Sequence, residues 1–297
     1  MSDLVEPVNV NIVYESETPI LYEVIDQVAW ITMNRPKFNN AQNGQMTYAL
    51  DDAFMRATQD DDVRAIVLAG VGKHFSAGHD IGTPGRDLYH QFDNRLMVAK
   101  HVNKPAAELL YTREQEQYLG MCRRWRDVPK PTIAMVQGAC IAGGLMLAWV
   151  CDLIVASDDA FFQDPVVRMG LPGVEYFAHG FELPPRVAKE FLLLGERMGA
   201  ERAYQFGMVN KVVPRDALRE TAAAWAAKLA AQPRLGNWLT KQAINQVEEL
   251  RGKRSAMDAV FHMHHFAHAQ NDLTKGDSLG NLDGKAMAAG NKKQAGE

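Results

Sequence analysis

Residues 137–148, Gln137-Gly138-Ala139-Cys140-Ile141-Ala142-Gly143-Gly144-Leu145-Met146-Leu147-Ala148, restrict the fold more than any other stretch of the chain. Ahead of them, Lys130-Pro131 leads into a short β-branched run, 132–136, that reads as a buried strand. Behind them, residues 145–149 are apolar on every side, the pattern of a helix buried all round. A strand that turns through glycines into a buried helix brings backbones into close approach. It also leaves unpaired N–H groups at the positive helix end. Two readings follow: a close-packed turn that needs small residues, or a cradle for an anion or for an oxygen that becomes one during a reaction.

With 297 residues the chain is long enough for one large domain or two ordinary ones, and 47% hydrophobic with 23% charged residues is the composition of a globular protein. A formal net charge of -4 argues against a general nucleic-acid binder. Cys122, Cys140 and Cys151 form neither a CxxC pair nor a disulfide framework, and the two that sit in apolar stretches are expected as reduced, buried thiols. The first residues, Met1-Ser2-Asp3-Leu4, lack the basic and apolar regions of a secretory signal, and no run is apolar for long enough to span a membrane. A cytoplasmic protein is expected.

Residues 1–18 are polar and read as a loose lead-in. Runs 21–25 and 28–32 flank Asp26-Gln27 as a hairpin, and Asn34-Arg35-Pro36 ends it. A helix then places Met46, Leu50, Phe54 and Ala57 on one face, and 63–69 is a buried strand. Residues 70–82 form a second glycine turn; it is neither a P-loop nor a nucleophile elbow at Ser76. A polar excursion over 82–112 has the length of a lid or binding loop. Tyr118, Cys122 and Trp125 mark the inner face of a helix that stops before Pro129. Strands follow at 152–156, 161–162 and 211–213, with helices at 187–194, 200–206, 216–231, 237–250 and 255–269, and a frayed tail of about 25 residues. Strand–helix alternation followed by helices is an α/β core over 1–215 with a helical region over 216–297.

Three stretches together resemble the crotonase superfamily, the enoyl-CoA hydratase/isomerase family: Asn34-Arg35-Pro36 with Asn40-Ala41; Phe75-Ser76-Ala77-Gly78-His79-Asp80-Ile81; and 138–148 closed by Cys151-Asp152. Lys130-Pro131 and Gly195-Glu196…Ala200…Ala203…Gly207-Met208-Val209 are similar to the family as well. The resemblance implies a ββα spiral core, a C-terminal helical trimerisation region, and a homotrimer or dimer of trimers. It implies an acyl-CoA substrate, with coenzyme A as part of that substrate, no permanently bound cofactor and no metal. By position, the N–H groups of His79 and Gly143 would hold the thioester oxygen as it becomes an enolate, a donor pair in which each member is worth ~3 kcal/mol. Ala41 and Ala77 would line the CoA channel. Arg35 and Lys37 either meet CoA phosphates at its mouth or are ordinary solvated loop charges.

The chain departs from the family pattern where a hydratase carries its two glutamates, because Met146 and Val166 stand there and neither accepts a proton. Glu175 is the leading candidate for general base, its pKa raised by apolar neighbours, against the reading of an exposed residue in the first turn of a helix. Asp164 is second, although a turn-forming Asp explains it equally. His79 is also a candidate through its imidazole, and Glu114, Glu116 and His90 lie where they could swing in. His264 and His268 have i, i+4 spacing without the HExxH glutamate, so the cluster with His262 and His265 reads as a subunit contact rather than a metal site. The expected activity is hydration or double-bond isomerisation of an enoyl-CoA. Hydrolysis of a thioester or C–C bond within the same fold, a non-catalytic CoA-thioester binder and an RNA-binding relative are the alternatives.

Overall fold

The computed structural model describes residues 18–82 and 93–295, with side chains as far as residue 291. The lead-in, part of the excursion and His90 lie outside the described residues. Strands β1 (Ile20–Ile25) and β2 (Val28–Met33) form the expected antiparallel hairpin. Asp26 and Gln27 both take positive φ (48° and 65°), the turn that matches strand twist. The helix α1 (Gly44–Gln59) starts where the Asn43 side chain accepts the Met46 N–H at 2.9 Å. Strand β3 (Ala65–Gly70) follows, then α2 (Ala106–Glu114), a π-helical stretch Gln115–Gly120 and α3 (Met121–Arg126), continuous in the chain. The expected helical face holds there, since Tyr118, Cys122 and Trp125 are all buried, and the Trp125 indole donates to Asp51 of α1 at 2.9 Å.

Next come β4 (Thr132–Val136), β5 (Ala139–Ile141), α4 (Gly143–Trp149), β6 (Leu153–Ser157), β7 (Phe161–Gln163), α5 (His179–Glu182), α6 (Pro185–Leu194), β8 (Met198–Gly199), α7 (Ala200–Gln205) and β9 (Lys211–Val213). The larger sheet has the order β1-β2-β3-β4-β6-β9, parallel beyond the hairpin. The smaller sheet, β5-β7-β8, is continued by single parallel bridges Ser76↔Cys140 and Gln42↔His79. Successive turns of the chain thus feed one segment into each sheet, which is the expected spiral. Parallel strands buried on both faces explain the unbroken apolar runs of β3 and β4. Ile66 and Leu68 face one cluster, with α1, α3 and α4; Val67, Ala65 and Ile133 face another.

The helices α8 (Leu218–Ala230), α9 (Arg234–Leu250), α10 (Lys253–Lys275) and α11 (Gly284–Ala295) complete the chain. Although α8 lies past residue 215, its Leu218, Ala222, Ala226 and Ala230 cover the outer face of the larger sheet. The tail read as frayed is instead the helix α11, which buries Met287 and Asn291. Its Gly, Lys and Asn content hid it, because packing rather than propensity decides such a helix.

Gly78 (φ +93°) shows how tightly the spiral closes: a Cβ there would lie 2.6 Å from the Ile141 carbonyl oxygen and 3.1 Å from the Gly143 nitrogen. Gly78→Ala is expected to destabilise the chain by about 1–3 kcal/mol through overpacking and backbone strain, read as a lower urea midpoint at unchanged slope.

Candidate functional site

The two glycine turns meet beside a cavity of about 900 Å³. The Gln42↔His79 bridge uses the Gly78 carbonyl, which accepts from Gln42 N–H at 2.7 Å, and the Asp80 N–H, which donates to Gln42 at 2.9 Å. The N–H of His79 itself therefore points the other way. Gly143 is the first residue of α4 and has no acceptor within that helix. Among the described residues neither N–H is given to a protein acceptor. They adjoin, since a Cβ on Gly143 would sit 3.2 Å from the His79 nitrogen and 2.6 Å from the His79 ring. The preceding Ala142 is held at φ 48°, a strained setting that its N–H bond to the Gln163 carbonyl, at 2.9 Å, helps to maintain.

Opposite this pair, the cavity wall carries titratable groups. Glu175 is buried rather than exposed at a helix start, and its Oε1 lies 3.6 Å from His79 Nδ1 and 3.7 Å from His264 Nε2. Burial, followed by the negative charge of Glu114, raises the Glu175 pKa well above the ordinary carboxylate value. Burial, helped by the Arg113 charge, lowers that of His79 to about 3. Their contact thus joins two groups whose charged forms are both disfavoured by burial. The His79 ring stacks on Tyr118 with centroids 3.8 Å apart, and its Nε2 finds no hydrogen-bond partner among the described residues. A neutral imidazole holds its one ring proton firmly and is a poor general acid.

Ala41, Ala77 and Lys37 line the cavity, together with the further cations Lys73, Arg197 and Lys285. Arg35 does not. Its guanidinium is buried, donating to the Ala41 carbonyl and to Asp80 Oδ2 at 3.0 Å, so that its charge braces the two loops instead of meeting a ligand. Asp164 also faces away from the cavity: fully buried, it accepts from His179 Nε2 at 2.9 Å and from the Val174 N–H at 3.2 Å, holding the loop that carries Glu175. Of the open candidates, Glu116 turns to the N–H groups of Arg95 (2.6 Å) and Leu96 (3.2 Å). Glu114, in contrast, enters the cavity wall.

Met146 is buried in the core and Val166 lines the cavity, so both positions are apolar in place as well as in sequence. The expected subunit contact does not describe His264 and His268, which are buried and line the cavity, whereas His262 is exposed. Glu114, His264 and His268 bring donor atoms within 4.8 Å of one another, the one such set among the described residues. The i, i+4 histidine spacing signalled two of its members; nothing local signalled Glu114.

The family model described as enoyl-CoA hydratase/isomerase matches residues 23–278. The chain belongs to that family. EchA13 of Mycobacterium tuberculosis is 41% identical over 261 residues, 84% of this chain and 80% of that protein. The Escherichia coli protein named 1,2-epoxyphenylacetyl-CoA isomerase is 33% identical over 235 residues, 77% and 82% of the two chains. A Mycobacterium smegmatis crystal structure described as a probable enoyl-CoA hydratase superposes with a TM-score of 0.78 at 43% identity, covering 87% of this chain and 98% of its own. The fold is accordingly the crotonase fold, with a helical C-terminal region. No helix among the described residues is long and apolar enough to cross a membrane.

The raised Glu175 pKa has a sign that can be checked. A buried acid whose folded pKa lies above its unfolded value favours folding fully only below the unfolded value, and that contribution is lost as pH rises towards the folded pKa. Wild-type Tm is expected to fall on raising the pH above the ordinary carboxylate range, and Glu175→Gln to flatten that slope in calorimetric melts.

Proposed function

We propose that this chain acts on an acyl-CoA thioester, holding the thioester oxygen between the N–H groups of His79 and Gly143 while Glu175 moves a proton at the neighbouring carbon. The observation that carries the reading is a pair of adjoining backbone donors beside a cavity whose wall carries a buried carboxyl with a raised pKa. Withdrawing a proton beside a thioester, or adding to its double bond, places negative charge on the oxygen, and preorganised donors stabilise that charge where water is excluded. A carboxyl whose pKa is raised above the ordinary carboxylate value is a stronger base, once ionised, than a solvated one.

The residues favour a double-bond shift in an enoyl-CoA. One carboxylate suffices to take a proton from one carbon and return it to another. Hydration asks for a second group to hold and deprotonate a water, and Met146 and Val166 supply none. Glu114, whose Oε2 is 3.7 Å from His264 Nε2 just as Glu175 Oε1 is, is the second carboxylate available to a hydration reaction. Relatives are named for both kinds of reaction, hydratase and isomerase, so the choice rests on the residues.

Solvent deuterium exchange at the α-carbon of a panel of acyl-CoAs tests it. Exchange should rise with pH as Glu175 ionises, and Glu175→Gln should slow it by about 10²–10⁴-fold. Exchange unaffected by that substitution removes Glu175 from the mechanism, and no turnover of any acyl-CoA leaves a thioester binder.

On the same reading Lys37 meets the CoA phosphates. Lys37→Ala should raise KM several-fold with kcat nearly unchanged, a difference that shrinks as salt is added. The expected trimer, alone or paired, is supported by apolar residues left exposed on one chain, among them Leu235, Leu239 and Leu250 of α9 and Phe266 and Leu273 of α10. Sedimentation at micromolar concentration should give a multiple of three chains.

A further inference from the structure

On α10, the Nδ1–H groups of His264 and His268 donate to the carbonyl oxygens of Gly173 and Ser278, each at 2.8 Å. A carbonyl only accepts, so the hydrogen of each neutral ring sits on Nδ1 and leaves a lone pair on Nε2. Those two Nε2 atoms face one another at 2.9 Å. Two lone pairs at that separation repel unless an electrophile lies between them. A shared proton would lie on the line joining them and would bond to those two atoms alone. The arrangement is a triangle instead, because Glu114 Oε2 stands off that line, 3.7 Å from one nitrogen and 3.9 Å from the other.

We propose that Glu114, His264 and His268 form a binding site for a divalent transition-metal ion of the zinc class. A triangle with sides of 2.9, 3.7 and 3.9 Å has a centre about 2.1 Å from every corner, which is the usual length of zinc bonds to imidazole nitrogen and carboxylate oxygen. The surroundings are those that metal ligands require. Each imidazole is fixed in tautomer and orientation by a backbone carbonyl, and the other Glu114 oxygen is paired with Arg113 at 3.3 Å. All three side chains are buried, so the site is held by packing, yet all three line the cavity. Two nitrogens and one oxygen leave a coordination position for a water or a substrate oxygen, as in catalytic rather than structural zinc sites. Two further groups lie close. Glu175 Oε1 is 3.7 Å from His264 Nε2, and His265 Nε2 is 3.4 Å from Glu114 Oε2. This inference stands apart from the acyl-CoA reading, since metal binding can be read without any substrate.

The test uses the full-length, tag-free chain, stripped with a chelator and titrated with Co²⁺. Saturable binding of one ion per chain, with visible d–d bands, is expected. His264→Ala and His268→Ala should each weaken binding by more than about 100-fold, whereas His262→Ala, on the exposed side of α10, should leave it unchanged. Glu114→Gln keeps the side-chain size and guards against misfolded histidine variants; it should weaken binding and shift the bands. Absence of saturable Co²⁺ binding, which would leave a proton between the two rings, overturns the proposal. So do bands that survive both histidine substitutions.

Discussion

Everything at the cavity depends on the contact between two glycine turns that are far apart in sequence. Gly78 has no room for a Cβ beneath the Ile141 carbonyl, and a Cβ on Gly144 would lie 2.6 Å from the Ser76 carbonyl oxygen. With Cβ atoms absent, the backbones approach until Ser76 and Cys140 bridge, and that bridge joins successive turns of the spiral through the smaller sheet. By sequence alone the glycine stretch is either a close-packed turn or an oxyanion cradle. The close approach that the packing requires also sets the His79 and Gly143 N–H groups side by side.

The second theme is how the cavity treats charge. Burial moves Glu175 and His79 in opposite pKa directions, in each case against the charged form, at a contact of 3.6 Å. Holding a carboxyl in such a place costs stability, and functional sites are where such costs persist. A buried charge pair elsewhere does mechanical work. Arg35 with Asp80 ties the loop bearing Ala41 to the loop bearing His79, and buried pairs of this kind are far more costly to break than to replace whole.

What could be read from the chain alone was whatever is encoded locally. The hairpin, the buried strands and the inward face of α1 follow from short-range pattern, and the glycine turns follow from composition at a few positions. Long-range placement was not legible. Arg35 and Lys37 are two residues apart, yet one is buried as a brace and the other faces the cavity, a difference set by Asp80 on another loop. Asp164 and Glu175 share a loop, and only packing shows that the first holds that loop while the second faces the cavity. Glu114 joins His264 and His268 across 150 residues of chain, and no spacing rule links groups brought together by tertiary packing.

The π-helical stretch 115–120 between α2 and α3 has a consequence for how this surface can change. An α-helix advances about 100° per residue, so a continuous helix would tie the direction of Glu114 rigidly to that of Trp125. The wider turns absorb extra chain and act as a phase shifter, which lets one helical rod present Glu114 to the cavity and Trp125 to the core. The two faces are thereby uncoupled. Residues on the cavity side of α2 can be exchanged, and the shape of the cavity altered, without repacking the tryptophan and aspartate that anchor α3 to α1.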